Sequence, residues 1–516
     1  RAPDAVMNGR PLSGATGAVL DPIFALRRRV RIAPGATARI DFWTMVASSR
    51  EAVLDMADKH HDTGAFQRAA ALAWTQAQVQ LHHLGIDRSV AGQYQRLAGH
   101  MIYATPAMRP PSISIGNGAG GQPELWTLGI SGDLPIMLVR IDDVHHLGVV
   151  KEALQAVEYW RMKRLPVDLV ILNERVSSYI QDVQIALETL VRASQSRPQI
   201  GDERTRGHVF VLRADLVAPA ARALLGSVAR VVLTGERGSL ADQLDRAPEA
   251  RPARRPAARR AAPTSELQVS RPMPGIEYFN GLGGFADGGR EYVITLGPGQ
   301  STPAPWINVI ANPGFGFQVS AEGGGYTWSV NSREHQLTPW CNDPVSDRPG
   351  QAFYLRDEET GDVWSPTAAP IRDETATYVA RHGWGYSSFE HTSAGIASRL
   401  LEFVPLADPL KISRLTLRNT SNRARRISVT AYAELVLGAS RQAAAPYVTT
   451  RIDESSGAML AGNPWNPAFG ERVAFFDLSG RQTEWTGDRR EFIGRNGTLA
   501  RPAALFNGRA LSGRAG

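Results

Sequence analysis

The sequence predicts a multidomain α+β chain. A large antiparallel β-sandwich occupies the C-terminal half. A small α/β layer with a helical linker lies in the middle, and the strand remnant of a first sandwich stands at the N-terminus. Three observations carry this expectation. From residue 275 onward the helical period disappears, and short alternating runs are separated by Gly, Pro, Asn and Asp. Between 134 and 233, continuous apolar runs alternate with amphipathic helical ones. Finally, Asn8-Gly9-Arg10 and Leu12-Ser13-Gly14 return as Asn507-Gly508-Arg509 and Leu511-Ser512-Gly513, a repeat with an offset of 499.

The repeat sets the domain plan. Residues 1–47 read as the tail of one sandwich copy, and 272–516 as most of a second copy, cut before its tail. Within the first segment, 25–32 and 38–43 alternate apolar with polar residues around Pro34-Gly35, which predicts strand, turn, strand. Ser48-Ser49-Arg50-Glu51 offers an N-cap with an acidic residue behind it, so a helix follows. Helices over 66–84 and 89–104 complete a linker, 48–105.

The α/β domain, 106–245, is expected to place strands at 134–141, 167–173, 209–212 and 231–233. Helices at 147–163, 177–193 and 218–227 fall between them. A Pro/Ala/Arg linker at 246–271 is too poor in large apolar side chains to fold alone. Beyond it, 292–296, 414–419 and 427–434 are among the sandwich strands.

With 516 residues, the chain has room for about three to five domains of roughly 100–200 residues. Its 43% hydrophobic and 21% charged residues exclude wholesale disorder. No run approaches the length of a membrane-spanning helix. A single cysteine, Cys341, excludes an intramolecular disulfide or a Cys-based zinc site and fits a reducing compartment. The start at Arg1-Ala2-Pro3 carries no signal core, and we read the chain as an internal piece of a longer protein. The formal net charge of +7 is local: the seven arginines of 246–271, set against Glu249 and Glu266, supply +5 of it. The folded parts are therefore expected to show no preference for nucleic acid, and the linker to act as a solvated tether.

Chemistry concentrates between 302 and 347. Trp306, Asn308, Arg333, Trp340, Asn342 and Asp343 supply two aromatic faces, two amides, one guanidinium and one carboxylate among tight turns. That set suits a sugar, whose apolar C–H face packs on an aromatic ring while planar polar groups satisfy paired hydroxyls. Trp384, within Arg381-His382-Gly383-Trp384, repeats the chemistry. The competing reading puts the tryptophans in the sandwich core. Alternation makes Trp306 most exposed to it, because Trp306, Asn308 and Ile310 share one strand face. Arg333 is expected to pair with Asp343 or a sugar hydroxyl.

Other candidates carry less. Asp133 reads as a turn residue. The stretch 116–121 lacks the Lys-Ser/Thr of a phosphate loop. The His pairs 60–61, 82–83 and 145–146 are adjacent and share no helix face for a metal. Carboxylates Asp343 and Asp347, or Asp373 and Glu390, could meet in space. No cofactor and no metal are expected in this segment.

At this point the sequence resembles a known family. Glu277-Tyr278-Phe279-Asn280-Gly281-Leu282-Gly283-Gly284-Phe285, Pro305-Trp306-Ile307-Asn308 and Asn331-Ser332-Arg333-Glu334 resemble the sugar-binding sandwich of glycoside hydrolase family 94. So do Pro339-Trp340-Cys341-Asn342-Asp343-Pro344 and the run from Gly383 to His391. That family was formerly called glycosyltransferase family 36. Tyr94-Gln95-Arg96-Leu97-Ala98, Gly129-Ile130-Ser131-Gly132-Asp133 and 167–174 resemble the region of the cyclic β-1,2-glucan synthases that leads into their family 94 portion.

The resemblance implies a parent glycosyltransferase or phosphorylase working on the cytoplasmic side of the inner membrane, as part of a membrane protein. It implies inverting phosphorolysis driven by an Asp acid in an (α/α)6 barrel. The chain ends before such a barrel, and 105–245 is too short for one, so no catalytic residue is assigned. The segment is expected to be non-catalytic and soluble by itself. It would bind β-1,2-glucan or glucooligosaccharide and contact other domains of the same longer chain. The alternatives are an active phosphorylase or glycosidase with its acid in 272–516 or 105–245, and a purely structural spacer.

Overall fold

The computed structural model describes residues 3–18, 21–60, 64–175, 182–195, 207–246, 275–478, 480–508 and 510–516. Almost all of the 246–271 linker lies outside them. The chain divides into two compact units, residues 1–85 and 86–516.

In the first unit, helices span Arg50–His60 and Ala65–Leu84. Ser49 Oγ accepts from Ala52 N at 3.2 Å at the start of the former, as its N-cap sequence predicts. Gly85, at φ 64°, ends the latter. The expected strands are corrected: 25–32 and 38–43 form no ladder. Only their turn forms, with Ala36 N bonded to Ala33 O and Gly35 at φ 75°. A strand needs a partner to receive its backbone hydrogen bonds. Among the described residues none reaches these runs, and Phe24, Leu26, Ile32 and Phe42 stand exposed. Arg27 instead donates to the carbonyls of Ala5 and Arg10.

The second unit opens with the helix Arg88–Tyr103, capped by Asp87. The sequence grouped it with the linker, yet its Tyr94, Leu97 and Met101 are buried, and Trp160 Nε1 donates to Tyr94 O at 3.0 Å. It therefore packs on the α/β layer. Strands β1 (Ile136–Ile141), β2 (Asp168–Asn173), β3 (Val209–Arg213) and β4 (Val231–Thr234) form one parallel sheet in the order β3-β2-β1-β4. Residues of β1 and β2 are almost all buried, which is why they read as continuous apolar runs. Helices Leu147–Met162, Asp182–Gln195 and Pro219–Val228 lie between the strands in sequence, as predicted.

The rest is antiparallel. Strands β5 (Gly283–Ala286) and β6 (Glu291–Leu296) lead into β7 (Ile307–Asn312), β8 (Phe315–Ser320) and β9 (Gly325–Ser329). Next come β10 (Gln351–Asp357), β11 (Val363–Trp364), β12 (Tyr378–Gly383), β13 (Tyr386–Ser393), β14 (Ile396–Phe403), β15 (Ile412–Asn419) and β16 (Ile427–Ala433). The last are β17 (Thr449–Ile452), β18 (Met459–Gly462) and β19 (Val473–Phe476). They pair as β15-β14-β13-β12-β6-β5, β7-β8-β9, β11-β10-β16 and β17-β18-β19. Ile294, Ile310, Phe317, Phe389 and Leu400 form the main core between sheets. Tyr447 and Trp465, stacked at 4.7 Å, pack against the α/β layer beside Leu125 and Leu225.

Candidate carbohydrate-binding face

Strand alternation divides the β7-β8-β9 sheet into two faces. Ile310, Phe317 and Thr327 are cross-strand neighbours on the inner face and are buried. Ala311, Gly316 and Trp328 are neighbours on the outer face, as are Val309, Gln318 and Tyr326. Ile307 and Val309 are about half exposed there.

The outer face carries a row of rings. Trp340 stacks on Tyr326 with centroids 5.3 Å apart and planes 18° apart. Tyr326 meets Trp328 at 5.2 Å and 37°. Trp340 leaves 45% of its surface open. Gly316 makes the row possible: a Cβ there would lie 2.4 Å from Trp328 Cζ2. Burial raises the Tyr326 pKa, opposed by a hydrogen bond with Ser332.

Polar groups flank the row. Asp343 Oδ1 accepts from Val345 N at 3.0 Å and Ser346 N at 3.2 Å. The Ser346 hydroxyl and these amides hold its carboxyl below the usual carboxylate range, with Arg348 at 3.9 Å. Asp347 behaves oppositely. Burial pushes it up, although Ser320 Oγ donates to it at 2.5 Å. Asn342 takes φ 43°, within the left-handed region that Asn tolerates.

The predicted residues do not converge on one face, which corrects that expectation. Trp340, Asn342 and Asp343 share the loop beside the ring row. Arg333 stands on the neighbouring 331–334 turn, 89% exposed, with its Nε 3.2 Å from Glu334 rather than paired with Asp343. Trp306 faces inward, edge-on to Tyr292 at 6.1 Å against the main core. Asn308 also faces inward, where Nδ2 donates to Gly383 O, Tyr386 O and Ser387 Oγ. The core reading of alternation therefore holds for both. Trp384 sits apart at the β12–β13 turn, 79% exposed.

Tyr326 and Trp328 were missed as site residues, although their i, i+2 spacing in a strand already puts them on one face. Asp373 and Glu390 do border a common crevice, with Ser393 on Asp373 at 2.7 Å. Asp133 accepts from Gln122 at 3.0 Å in its turn. No cluster of three or more metal-ligating side chains occurs among the described residues, and no described helix is long and apolar enough to cross a membrane.

Against known families, residues 1–63 and 290–516 match the glycosyl hydrolase 94 supersandwich domain. Over 516 residues the chain is 40% identical to the cyclic beta-(1,2)-glucan synthase NdvB of Rhizobium meliloti (strain 1021), covering 98% of this chain and 18% of that protein. It is 30% identical over 237 residues to the N,N'-diacetylchitobiose phosphorylase of Vibrio furnissii, covering 44% of this chain and 29% of the other. Over 159 residues it is 35% identical to the solabiose phosphorylase of Paenibacillus borealis, covering 30% of this chain and 20% of the other. The chain thus spans less than a third of the length of each of these relatives.

Proposed function

The chain belongs to the glycosyl hydrolase 94 family, and from that premise we propose that it is a carbohydrate-binding and connecting segment of a cyclic β-1,2-glucan synthase-like protein. The observation that carries this reading is the Trp340–Tyr326–Trp328 row on the outer face of β7-β8-β9. Buried Tyr326 backs the half-open Trp340 indole, whose outer face is free to pack on the apolar face of a sugar, with Trp328 next in the row. Asp343 and Asn342, on the adjoining loop, supply acceptors and donors for hydroxyls. The choice of β-1,2-glucan rests on the likeness to the synthase along nearly the whole chain. In this reading the α/β layer is the connector, the segment needs no cofactor, and its setting is the cytoplasmic side of the inner membrane within a longer protein.

One observation favours a second reading, an active hydrolase or phosphorylase. The environments of Asp343 and Asp347 push their carboxyls in opposite directions, as an acid and a base require. Against it, the Asp347 carboxylate is wedged so close to Gly324 that a Cβ there would lie 2.1 Å from its Oδ1. That placement suits a turn lock better than a proton donor.

Calorimetry with β-1,2-glucooligosaccharides, with and without phosphate, separates the readings. Binding without turnover is expected. Trp328→Ala with Trp340→Ala should weaken it by more than about tenfold, as loss of the exposed indole and of its neighbour in the row predicts. Turnover that Asp347→Asn abolishes would favour the second reading. Neither binding nor turnover would leave a structural spacer.

A further inference from the structure

A second open indole stands on the α/β layer: Trp126 is 61% exposed. Tryptophan is highly buried on average, so this exposure is informative. Poor packing does not explain it. Leu125 and Ile130, on either side, are fully buried in the core of the layer. The chain between them is tied by Leu128 N to Leu125 O at 2.9 Å, Gly129 N to Trp126 O at 3.0 Å and Ile130 N to Leu125 O at 3.2 Å. Gly129, at φ 73°, closes this turn. With Leu125 directed inward, its successor in the short helix Pro123–Trp126 is left outward.

The indole is held in place. Trp126 Nε1 donates to Ser131 O at 3.3 Å. Gln122 Nε2 donates to the same carbonyl at 2.8 Å and to Asp133 Oδ1 at 3.0 Å. Asp133 N donates to Ser131 Oγ at 3.2 Å. Gly132 brings the turn against the sandwich, since a Cβ there would lie 3.1 Å from Trp465 Cζ2. The cluster therefore stands where the α/β layer meets the sandwich, the kind of junction where ligand sites concentrate. Among the described residues, Asp133 Oδ2 and Gln122 Oε1 accept no hydrogen bond, and the Ser131 hydroxyl donates none. An open ring face, two acceptors and one donor are thus fixed before any ligand arrives, which lowers the entropy cost of binding.

The chemistry repeats that of Trp340 with Asn342 and Asp343: an open indole beside an amide and a carboxylate. The exposed carboxylates of Asp133 and Glu124 disfavour an anion. A neutral pyranose suits the set, with its C–H face on the indole and its hydroxyls on the polar groups. We infer that Trp126, Gln122, Ser131 and Asp133 form a second carbohydrate-binding site, on the α/β layer. Trp126 stacks on one sugar ring, Asp133 and Gln122 accept from its hydroxyls, and Ser131 donates to one. The choice of glucan as ligand rests on the function proposed above. With a single indole instead of a row, this is the weaker of the two sites.

Calorimetry of the full chain with a β-1,2-glucooligosaccharide tests this. Two phases are expected, the second at least about tenfold weaker than the first. The Trp328→Ala, Trp340→Ala chain should keep the weak phase alone. Adding Trp126→Ala should weaken that phase by more than about tenfold, whereas Trp126→Phe, which keeps a stacking face, should retain most of it. Asp133→Asn, which is nearly isosteric, should weaken it about threefold, and thermal unfolding checks that each variant is folded. Binding at one site that vanishes with Trp328 and Trp340 overturns this inference and leaves the ring row standing. So does a weak phase unchanged by Trp126→Ala or by Asp133→Asn. Binding that survives loss of the row and disappears with Trp126 supports this site and removes the row. No binding to the parent chain overturns both.

Discussion

The indole of Trp328 lies over the backbone of Gly316, with no room for a Cβ between them. Gly316→Ala should therefore displace the ring and break the row with Tyr326. Glucan affinity is expected to fall about tenfold, with roughly 1–3 kcal/mol of stability lost to overpacking. Gly314→Ala is the control, because the nearest atom to a Cβ there stands at 3.8 Å. Calorimetry and thermal unfolding of both variants check this. Equal affinity in the two would remove Trp328 from the site.

Asn308 is a structural residue. Its amide satisfies two backbone carbonyls and a hydroxyl, joining β7 to the β12–β13 hairpin. Asn308→Ala should cost roughly 2 kcal/mol, the penalty of leaving such acceptors unmade. The folded variant should bind glucan as the parent does. A shift in affinity larger than the loss of stability would restore Asn308 to the binding set.

Burial drives the His382 pKa down from 6.5 to about 4. Between those values the unfolded chain takes up a proton that the folded imidazole refuses. Its contribution to stability is thus present above about pH 6.5 and is lost as pH falls toward 4. The loss reaches roughly 3 kcal/mol at most. Urea unfolding from pH 7 to pH 4.5 should show this slope, and His382→Gln should flatten it. An unchanged slope in the variant would assign the acid sensitivity to other groups.

The linker is testable without its structure, because residues 247–274 lie outside the described residues. Seven arginines with no burial signal predict that 246–271 is the first site of tryptic cleavage. Mass spectrometry of early fragments should show a cut there before any within 275–516. Earlier cleavage inside the sandwich would contradict the boundary.

Local pattern was enough for much of the fold. Periods of two and of 3.6 residues, with caps such as Ser49, located the longer helices and the four parallel strands to within a few residues, but not the short helices Ser112–Asn117 and Leu240–Arg246. These signals come from neighbours a few positions apart, so the sequence states them directly. Family membership was also legible, in long motifs such as 339–344. The strand pattern at 25–32 and 38–43 was legible too, but pattern is only half of a strand. The ladder requires a partner supplied from elsewhere, and none of the described residues supplies one.

Tertiary structure alone decided the site. Sequence proximity grouped Trp306, Asn308, Arg333 and Trp340, whereas the pleat turned the first two inward and left Arg333 on Glu334. Which face of β7 meets the core depends on how whole sheets stack, and alternation cannot tell inner from outer. Likewise, Trp340 reaches Tyr326 only because the loop after the 331–334 turn folds back over β9. Such long-range placement is fixed by packing between sheets, a relation among residues far apart in the chain.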